Sequence, residues 1–255
     1  GIAVHRSWIY VSASKSLVAR LLNYFSFVWS SYWRGRKLQS FDYLMVESPP
    51  LFLGYSAMAL SKKLNAKLIF NVSDLWPESA EKLGLVTNKS LLNMAYKLEK
   101  KCYKASALIT GQTQGIVNNI RQRFPGKEVR WLPNGVDISF YDPEEIPKSD
   151  FRQVNGFKDD DVIFFYGGIL GHAQGLEIII EAAKELQSTH AQFVIQGAGP
   201  EKEHLVALHE KYALENIHFL EPVAKSEMPG ILKSVDIAIV PLKKLDLFKG
   251  AIPSK

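Results

Sequence analysis

The chain has 255 residues, 47% of them hydrophobic and 22% charged, which suits two domains of about 100–150 residues, each with its own core. Cys102 is the only cysteine, which excludes an intrachain disulfide and a cysteine-built zinc site and fits a reducing compartment; no run of about 18 apolar residues is present to span a bilayer. The net charge of +5 conceals an asymmetry, because residues 1–136 carry 19 Lys or Arg against 7 Asp or Glu while residues 137–255 carry 12 against 19. A basic half beside an acidic half points to an anionic surface or substrate. No helix-turn-helix, aromatic sheet motif or zinc finger accompanies that charge, so no nucleic-acid partner is expected. The start, Gly1-Ile2-Ala3-Val4, lacks Met, and Ile252-Pro253-Ser254-Lys255 reads like the opening of a helix, so the chain is expected to be a fragment at both ends.

In chain order, the first informative stretch is Lys15–Lys37. It sets Leu17, Leu21, Leu22, Phe25, Trp29, Tyr32 and Trp33 among Lys15, Arg20, Arg34, Arg36 and Lys37, with no acid before Asp42. Basic ends and aromatic density suit a helix at an anionic bilayer interface; packing on its own sheet is the other reading, favoured for Leu17, Leu21 and Phe25. Strand-length apolar runs then alternate with segments of helical period, the mark of parallel α/β folding. Strands are expected at Tyr43–Val46, Lys67–Val72, Ala107–Thr110 and Glu128–Leu132, with helices at Phe52–Leu64, Lys89–Tyr103 and Gln114–Arg123. The turn Pro133-Asn134-Gly135-Val136-Asp137 and the acidic stretch Tyr141–Asp161, with Pro143 and Pro147, mark a boundary and a linker. Two domains, 1–136 and 137–255, follow. In the second, strands are expected at Val162–Tyr166, Gln192–Gln196, Ile217–Leu220 and Ile237–Val240, and helices at Leu176–Leu186, Glu201–Tyr212 and Glu227–Ser234.

Two glycine-bearing turns carry candidate chemistry. Gly167-Gly168-Ile169-Leu170-Gly171-His172-Ala173-Gln174-Gly175 joins a strand to a helix, where close backbone approach and unpaired helix N–H groups suit a diphosphate. Gln196-Gly197-Ala198-Gly199-Pro200-Glu201 does the same one strand later. Glu221, about 20 residues on, tempts a dinucleotide reading, but Lys202 stands where the third glycine belongs and Pro200 reads as a helix start. In the first half, Asp74-Leu75-Trp76-Pro77-Glu78 follows the strand Lys67–Val72, at the sheet edge where α/β proteins bind ligands. Asp74 is placed to orient or deprotonate a hydroxyl, or else to cap its turn; Glu78 reads as a first-turn helix acid. His5, His190, His204, His209 and His218 show no metal-ligand spacing, so no metal site and no cofactor is expected.

These motifs in this order, Gly168–Leu176, Gly197–Glu201, Phe219–Val223, Asp236–Pro241 and Pro253-Ser254-Lys255, preceded by Asp74–Glu78 and Pro133–Asp137, resemble the retaining GT-B glycosyltransferases of family 4. Within that family the chain is similar to the branch of bacterial O-antigen and capsule assembly, fucosamine transferases included. The resemblance implies two Rossmann-like α/β domains facing across a cleft, the second holding a nucleotide sugar and the first its acceptor. It implies that Gly168, Gly171, His172, Gln174 and Gly175 face the donor diphosphate. Gly197, Gly199 and Pro200 would shape the donor pocket, Val223 would lie near the base, and Ser254 and Lys255 would approach the phosphates. Asp74, with Trp76 and Glu78, would serve the acceptor side. The chain departs from many relatives in having His172 and Gln174 where they carry Arg and Lys, and Ser73 where they carry His; the family's Glu pair falls beyond Lys255.

The expected function is transfer of a sugar from a nucleotide-diphosphate sugar, a UDP-sugar in the first instance, to a lipid-linked or polysaccharide acceptor in cell-surface polysaccharide biosynthesis. Retention is implied by the resemblance. Metal independence is expected because oriented backbone N–H groups and a helix terminus can stabilise a departing diphosphate. The expected partners are the donor, an anionic lipid-linked acceptor and an anionic membrane surface, with the protein cytoplasmic and peripheral on the inner face of the cell membrane. The alternatives are a nucleotide-sugar epimerase on the same scaffold, a NAD-dependent oxidoreductase using Gly197, Gly199 and Glu221, and a non-catalytic membrane-associated sugar-binding remnant.

Overall fold

The computed structural model describes residues 1–12, 14, 16–147 and 149–253. Ser254 and Lys255, expected at the donor phosphates, and Lys15 in the basic segment lie outside the described residues, as do the side chains of Leu17 and Arg20. The chain divides into two compact units: Gly1–Asn134 with Lys249–Ile252, and a second made chiefly of Gly135–Phe248. The sequence boundary at residue 136 assigns Lys249–Ile252 to the second half, whereas these residues group with the first unit, where Gly250 meets Gly115 backbone to backbone.

The first unit opens on helix α1 (Leu17–Gly35), whose N-cap Ser16 accepts from the Ala19 N–H. Strand β1 (Tyr43–Ser48), helix α2 (Leu53–Leu64), strand β2 (Lys67–Val72), the short helix α3 (Glu78–Lys82), helix α4 (Lys89–Ala105), strand β3 (Leu108–Gly111), helix α5 (Gln114–Arg123) and strand β4 (Val129–Trp131) follow. The strands form one parallel sheet in the order β1-β2-β3-β4. Parallel sheets are covered by helices, which is why Leu68, Phe70, Val72 and Ile109 are buried. Helix α4 shows how the sequence sets the packing: Leu92, Ala95, Leu98 and Cys102 recur at helical spacing and are buried together. Its start is fixed by Asn88, whose side chain accepts from the Ser90 and Leu91 N–H groups. Glu99, on the same buried side, is held by a two-nitrogen contact with Arg123 of α5.

Helix α1 divides its residues. Ala19 and Gly35 are buried, and a methyl on Gly35 would meet Leu60 of α2 at 2.7 Å. Phe25, expected in a core, is instead 44% exposed, its ring tilted against Phe52 at 5.0 Å between centroids. Trp29 is 62% exposed. No described helix is long and apolar enough to cross a membrane.

The second unit contains helix α6 (Phe151–Val154), strand β5 (Val162–Gly167), helix α7 (Glu177–Glu185), strand β6 (Ala191–Gln196), helix α8 (Lys202–Tyr212), strand β7 (Ile217–Leu220), helix α9 (Met228–Ser234) and the two-residue strand β8 (Ile237–Ala238). Its sheet is also parallel, in the order β7-β6-β5-β8. The stretch expected as a linker is in part core. Phe151 is buried with Ile163, Phe165, Val194 and Ile231, and Arg152 ties α6 to the Ser234 carbonyl, the Asp161 carbonyl and the Asp236 carboxylate. Its polar, proline-bearing composition conceals the aromatic pair Phe151 and Phe157, whose ring centroids lie 6.1 Å apart.

Candidate functional site

The glycine turns of the second unit interlock. Strands β5 and β6 end in register, Gly167 beside Gln196, and the two chains continue side by side. The Gly168 N–H donates to the Gln196 carbonyl at 2.9 Å, the Leu170 N–H to the Ala198 carbonyl at 2.9 Å, and the Glu201 N–H to the Leu170 carbonyl at 3.0 Å. This zipper requires glycine at two of its positions. Gly197 has φ +147°, and any side chain there would overlap the Gly168 carbonyl. Gly199 leaves no room either, since a Cβ would strike the Leu170 carbonyl. Tyr166, buried at the end of β5, braces the first turn by donating its hydroxyl to the Ile169 carbonyl at 2.6 Å, and burial pushes its phenol up to about 12.

The candidate donor residues distribute around this zipper. Gly168 and Gly171 lie in the first turn, with a Cβ on Gly171 falling 2.8 Å from Gln174 Oε1. That Gln174 oxygen is buried with no hydrogen-bond partner. Gly175, at φ +62°, leads into α7, which begins without a side-chain cap. Pro200 is exposed at the head of α8. His172 does not stand free: its Nδ1 contacts the Glu201 carboxylate. Val223 lies on the wall of a cavity of about 690 Å³ that opens beside the ends of β6 and β7, lined also by Gln196, Leu220, Glu221 and Phe140. Gln196 is 95% buried, being 5% exposed; its Nε2 donates to the Glu221 carbonyl at 3.1 Å and its Oε1 has no partner. The acid that suggested a ribose contact, Glu221, pairs with Lys202 at 2.6 Å, so the residue that replaces the third glycine also occupies the carboxylate.

In the first unit Asp74 stands just past the end of β2. Its Oδ2 accepts from the Ser79 hydroxyl at 2.8 Å. Burial raises its carboxyl above the ordinary 3.8, against the opposing effect of the Ser79 hydroxyl and the Leu75 N–H. Trp76 packs edge-on against Phe52, at 5.6 Å between centroids. Glu78 pairs with Lys82 one turn along α3 at 3.2 Å, as a first-turn helix acid does.

Sequence reading missed a polar rung across this sheet. Glu47, Asn71 and Thr110 are direct neighbours on β1, β2 and β3. The Thr110 hydroxyl donates to Asn71 Oδ1 at 2.6 Å, and Asn71 Nδ2 donates to the Glu47 carboxylate. Gln112, after β3, donates to Ser73 Oγ at 2.8 Å and accepts from Asn134 Nδ2 at 3.2 Å. Asn71 and Thr110 are buried where parallel sheets normally carry Val or Ile. The available signal was the pair of polar residues inside otherwise apolar strands, Asn71 in Lys67–Val72 and Thr110 in Ala107–Thr110.

Histidines without metal spacing in the sequence do approach acids in space. Among the described residues, Asp160, Asp161 and His190 form one group and Glu177, Glu201 and His204 another, with one ligand atom from each lying within 4.8 Å of the others.

Comparison with known proteins agrees with this geometry. Residues 147–248 match the family model of glycosyl transferases group 1. Over 259 aligned residues the chain is 25% identical to a protein of Escherichia coli (strain K12) named as a colanic acid biosynthesis glycosyl transferase, WcaI; the match takes in 99% of this chain and 63% of that one. The chain therefore spans somewhat under two thirds of that relative. Among solved structures, sucrose-phosphate synthase from Thermosynechococcus elongatus superposes with a TM-score of 0.66 at 14% identity, over 91% of this chain and 57% of that one. Anabaena Alr3699/HepE, solved with UDP-glucose, superposes with a TM-score of 0.61 at 16% identity, over 88% and 57%. These low identities speak for fold alone, and the fold is two parallel-sheet α/β units. Residues 147–248 of the second unit thus carry the match to glycosyl transferases group 1, and the chain as a whole shares the parallel-sheet α/β fold of these solved structures.

Proposed function

We propose that this chain transfers a sugar from a nucleotide-diphosphate sugar, a UDP-sugar, to a lipid-linked or polysaccharide acceptor in cell-surface polysaccharide biosynthesis, with retention and without a metal. The observation that carries the reading is the pair of interlocked glycine turns at the carboxyl ends of β5 and β6. They bring backbone close to any ligand seated there and stand at the uncapped start of α7, a favourable place for a diphosphate. In this reading Gly168, Gly171, His172, Gln174 and Gly175 surround the diphosphate. Gly197, Gly199 and Pro200 shape the pocket, Val223 borders the base, and Ser254 and Lys255 belong to the same site. The name of WcaI supports the polysaccharide context, and the UDP-glucose complex of HepE supports the donor class. Retention rests on the family resemblance.

The donor is assigned to the domain 137–255 and the acceptor to 1–136. Asp74, whose carboxyl burial holds above its ordinary range, receives a hydroxyl of the acceptor, with Trp76 and Glu78 beside it. In the transfer the C1–oxygen bond to the diphosphate breaks and its electron pair stays on the departing phosphate oxygen. The acceptor oxygen forms the new bond to C1 and passes its proton to the ionised Asp74 carboxylate. Helix α1 supplies the membrane contact: Val18, Leu22, Trp29 and Trp33 are exposed, and the Arg36 guanidinium lies 3.9 Å over the Trp33 ring. Cations near an anionic surface contribute about 1 kcal/mol each.

Calorimetry with UDP and UDP-glucose tests the donor assignment. Gly171→Val, which forces a side chain against Gln174, is expected to weaken UDP about tenfold or more; unchanged affinity, or tight NADH binding by the parent, counts against the reading. Co-sedimentation with anionic and neutral vesicles tests the surface. Arg34, Arg36 and Lys37 changed together to Gln are expected to release anionic vesicles while UDP affinity holds. A parent that ignores anionic vesicles removes the membrane role.

A further inference from the structure

The first glycine turn contains no Lys or Arg. Its polar side chains are His172 and Gln174, and His172 is engaged by Glu201. Glu177, at the start of α7, groups with Glu201 and His204, so the immediate surroundings are acidic. A diphosphate seated there requires positive charge from another part of the chain.

The segment that follows β8 brings it. The Ile239 N–H donates to the Phe165 carbonyl at 2.7 Å, and four residues later the Lys243 N–H donates to the Ala173 carbonyl at 2.9 Å. The backbone of Lys243 is thereby fastened to the turn itself. Its side chain leaves from there across Gly175, with Cγ 3.0 Å from where a Cβ on Gly175 would stand. Lys243 is half-buried. The ion pairs described in the second unit, Arg152–Asp236, His172–Glu201, His190–Asp160, Lys202–Glu221 and His204–Glu177, do not include it.

We propose that Lys243 is a diphosphate-binding residue of the donor site: fastened to the first glycine turn from 70 residues downstream, it supplies the positive charge that the turn's own side chains lack. The inference rests on the donor reading above. It also explains why position 175 is glycine beyond its φ of +62°, since a side chain there would displace the lysine stem. As the bond to C1 breaks, negative charge grows on the diphosphate, and a fixed ammonium beside it stabilises that change.

The test separates charge from packing. Lys243→Met keeps a stem of similar length over Gly175 and removes the charge; Lys243→Arg keeps the charge. Calorimetry with UDP should show Lys243→Met raising the Kd about 10- to 100-fold, the effect of losing a hydrogen bond to a charged group. Lys243→Arg should stay within a few-fold of the parent, and the salt dependence of UDP binding should flatten in Lys243→Met. Uridine, which has no phosphate, followed by NMR shift titration, should bind parent and Lys243→Met alike. The inference is overturned if Lys243→Met binds UDP as the parent does, if Lys243→Arg is as weak as Lys243→Met, or if uridine is lost in the same proportion. A parent that binds no UDP removes the donor reading and this inference together, which distinguishes the two failures.

Discussion

The two units share a design, four parallel strands with helices between them, yet they finish their carboxyl edges in opposite ways. In the first unit that edge is built from side chains: Glu47, Asn71 and Thr110 across the strands, then Ser73, Asp74 and Gln112 in the loops. In the second it is built from backbone: the Gly168 and Leu170 N–H groups bond the Gln196 and Ala198 carbonyls, and Gly197 and Gly199 leave no room for a side chain between the two turns. Side-chain edges change with each substitution and suit ligands recognised group by group. A backbone edge presents N–H donors of one kind and suits an anion common to many ligands. Within one chain, then, an edge set by side chains and an edge set by backbone are made from the same architecture by choosing what stands at the strand ends.

The largest effect is expected where the first unit depends on a buried side-chain pair. Arg123→Met leaves Glu99, 1% exposed as a side chain, without its cation and should cost about 3–5 kcal/mol. All five tryptophans fall in residues 1–134, so a urea titration followed by tryptophan fluorescence reads this loss directly. If the tryptophan midpoint holds, the pair is not what stabilises the unit. Gly197→Ala should be next, about 2–3 kcal/mol from forced φ and overlap with the Gly168 carbonyl. It should appear in the circular-dichroism transition of the second unit while the tryptophan transition stays put. A shared shift would mean that the units unfold together and would blunt the contrast between them.

Asp74→Asn should have the smallest effect on stability and the most informative pH dependence. The Asp74 carboxyl is raised in the folded protein, so folding favours its protonated form. The parent is therefore most favoured below the ordinary 3.8 and loses that contribution as pH rises through the raised value. Asn cannot ionise, so at neutral pH the variant should match or exceed the parent by up to about 1 kcal/mol, with the difference vanishing in acid. Under the proposed function the same change lowers transfer about 100-fold while leaving UDP affinity intact. Parallel losses in both would mean that Asp74 is only a turn-former.

Much of the fold was legible. Lys67–Val72, Ile217–Leu220 and Gln114–Arg123 match their expected bounds, because apolar runs and helical spacing in parallel α/β chains report burial on both faces. The last strand stopped two residues short of expectation, at Ala238; Ile239 still bonds the Phe165 carbonyl, and the chain beyond it runs to the first glycine turn, where the Lys243 N–H donates to the Ala173 carbonyl. Phe151 was hidden by its polar neighbours, and Phe25 looked more buried than it is because spacing cannot say how wide a helix contact will be. At the candidate site the glycine turns were readable from their own residues. Lys243 and the polar rung were not, because each depends on partners far along the chain: Ala173 for one, Glu47 and Thr110 for the other.

Cys102 gives the first unit a chemical clock. Its thiol is fully buried, a methyl on Gly54 would press directly on its sulfur, and burial pushes it up to about 12. In the native fold it is therefore protonated and shielded, and a thiol-alkylating reagent reaches it only when the helices around it part. Because no other cysteine exists in the chain, the alkylation rate counts openings of that one unit alone, residue by residue silent about everything else.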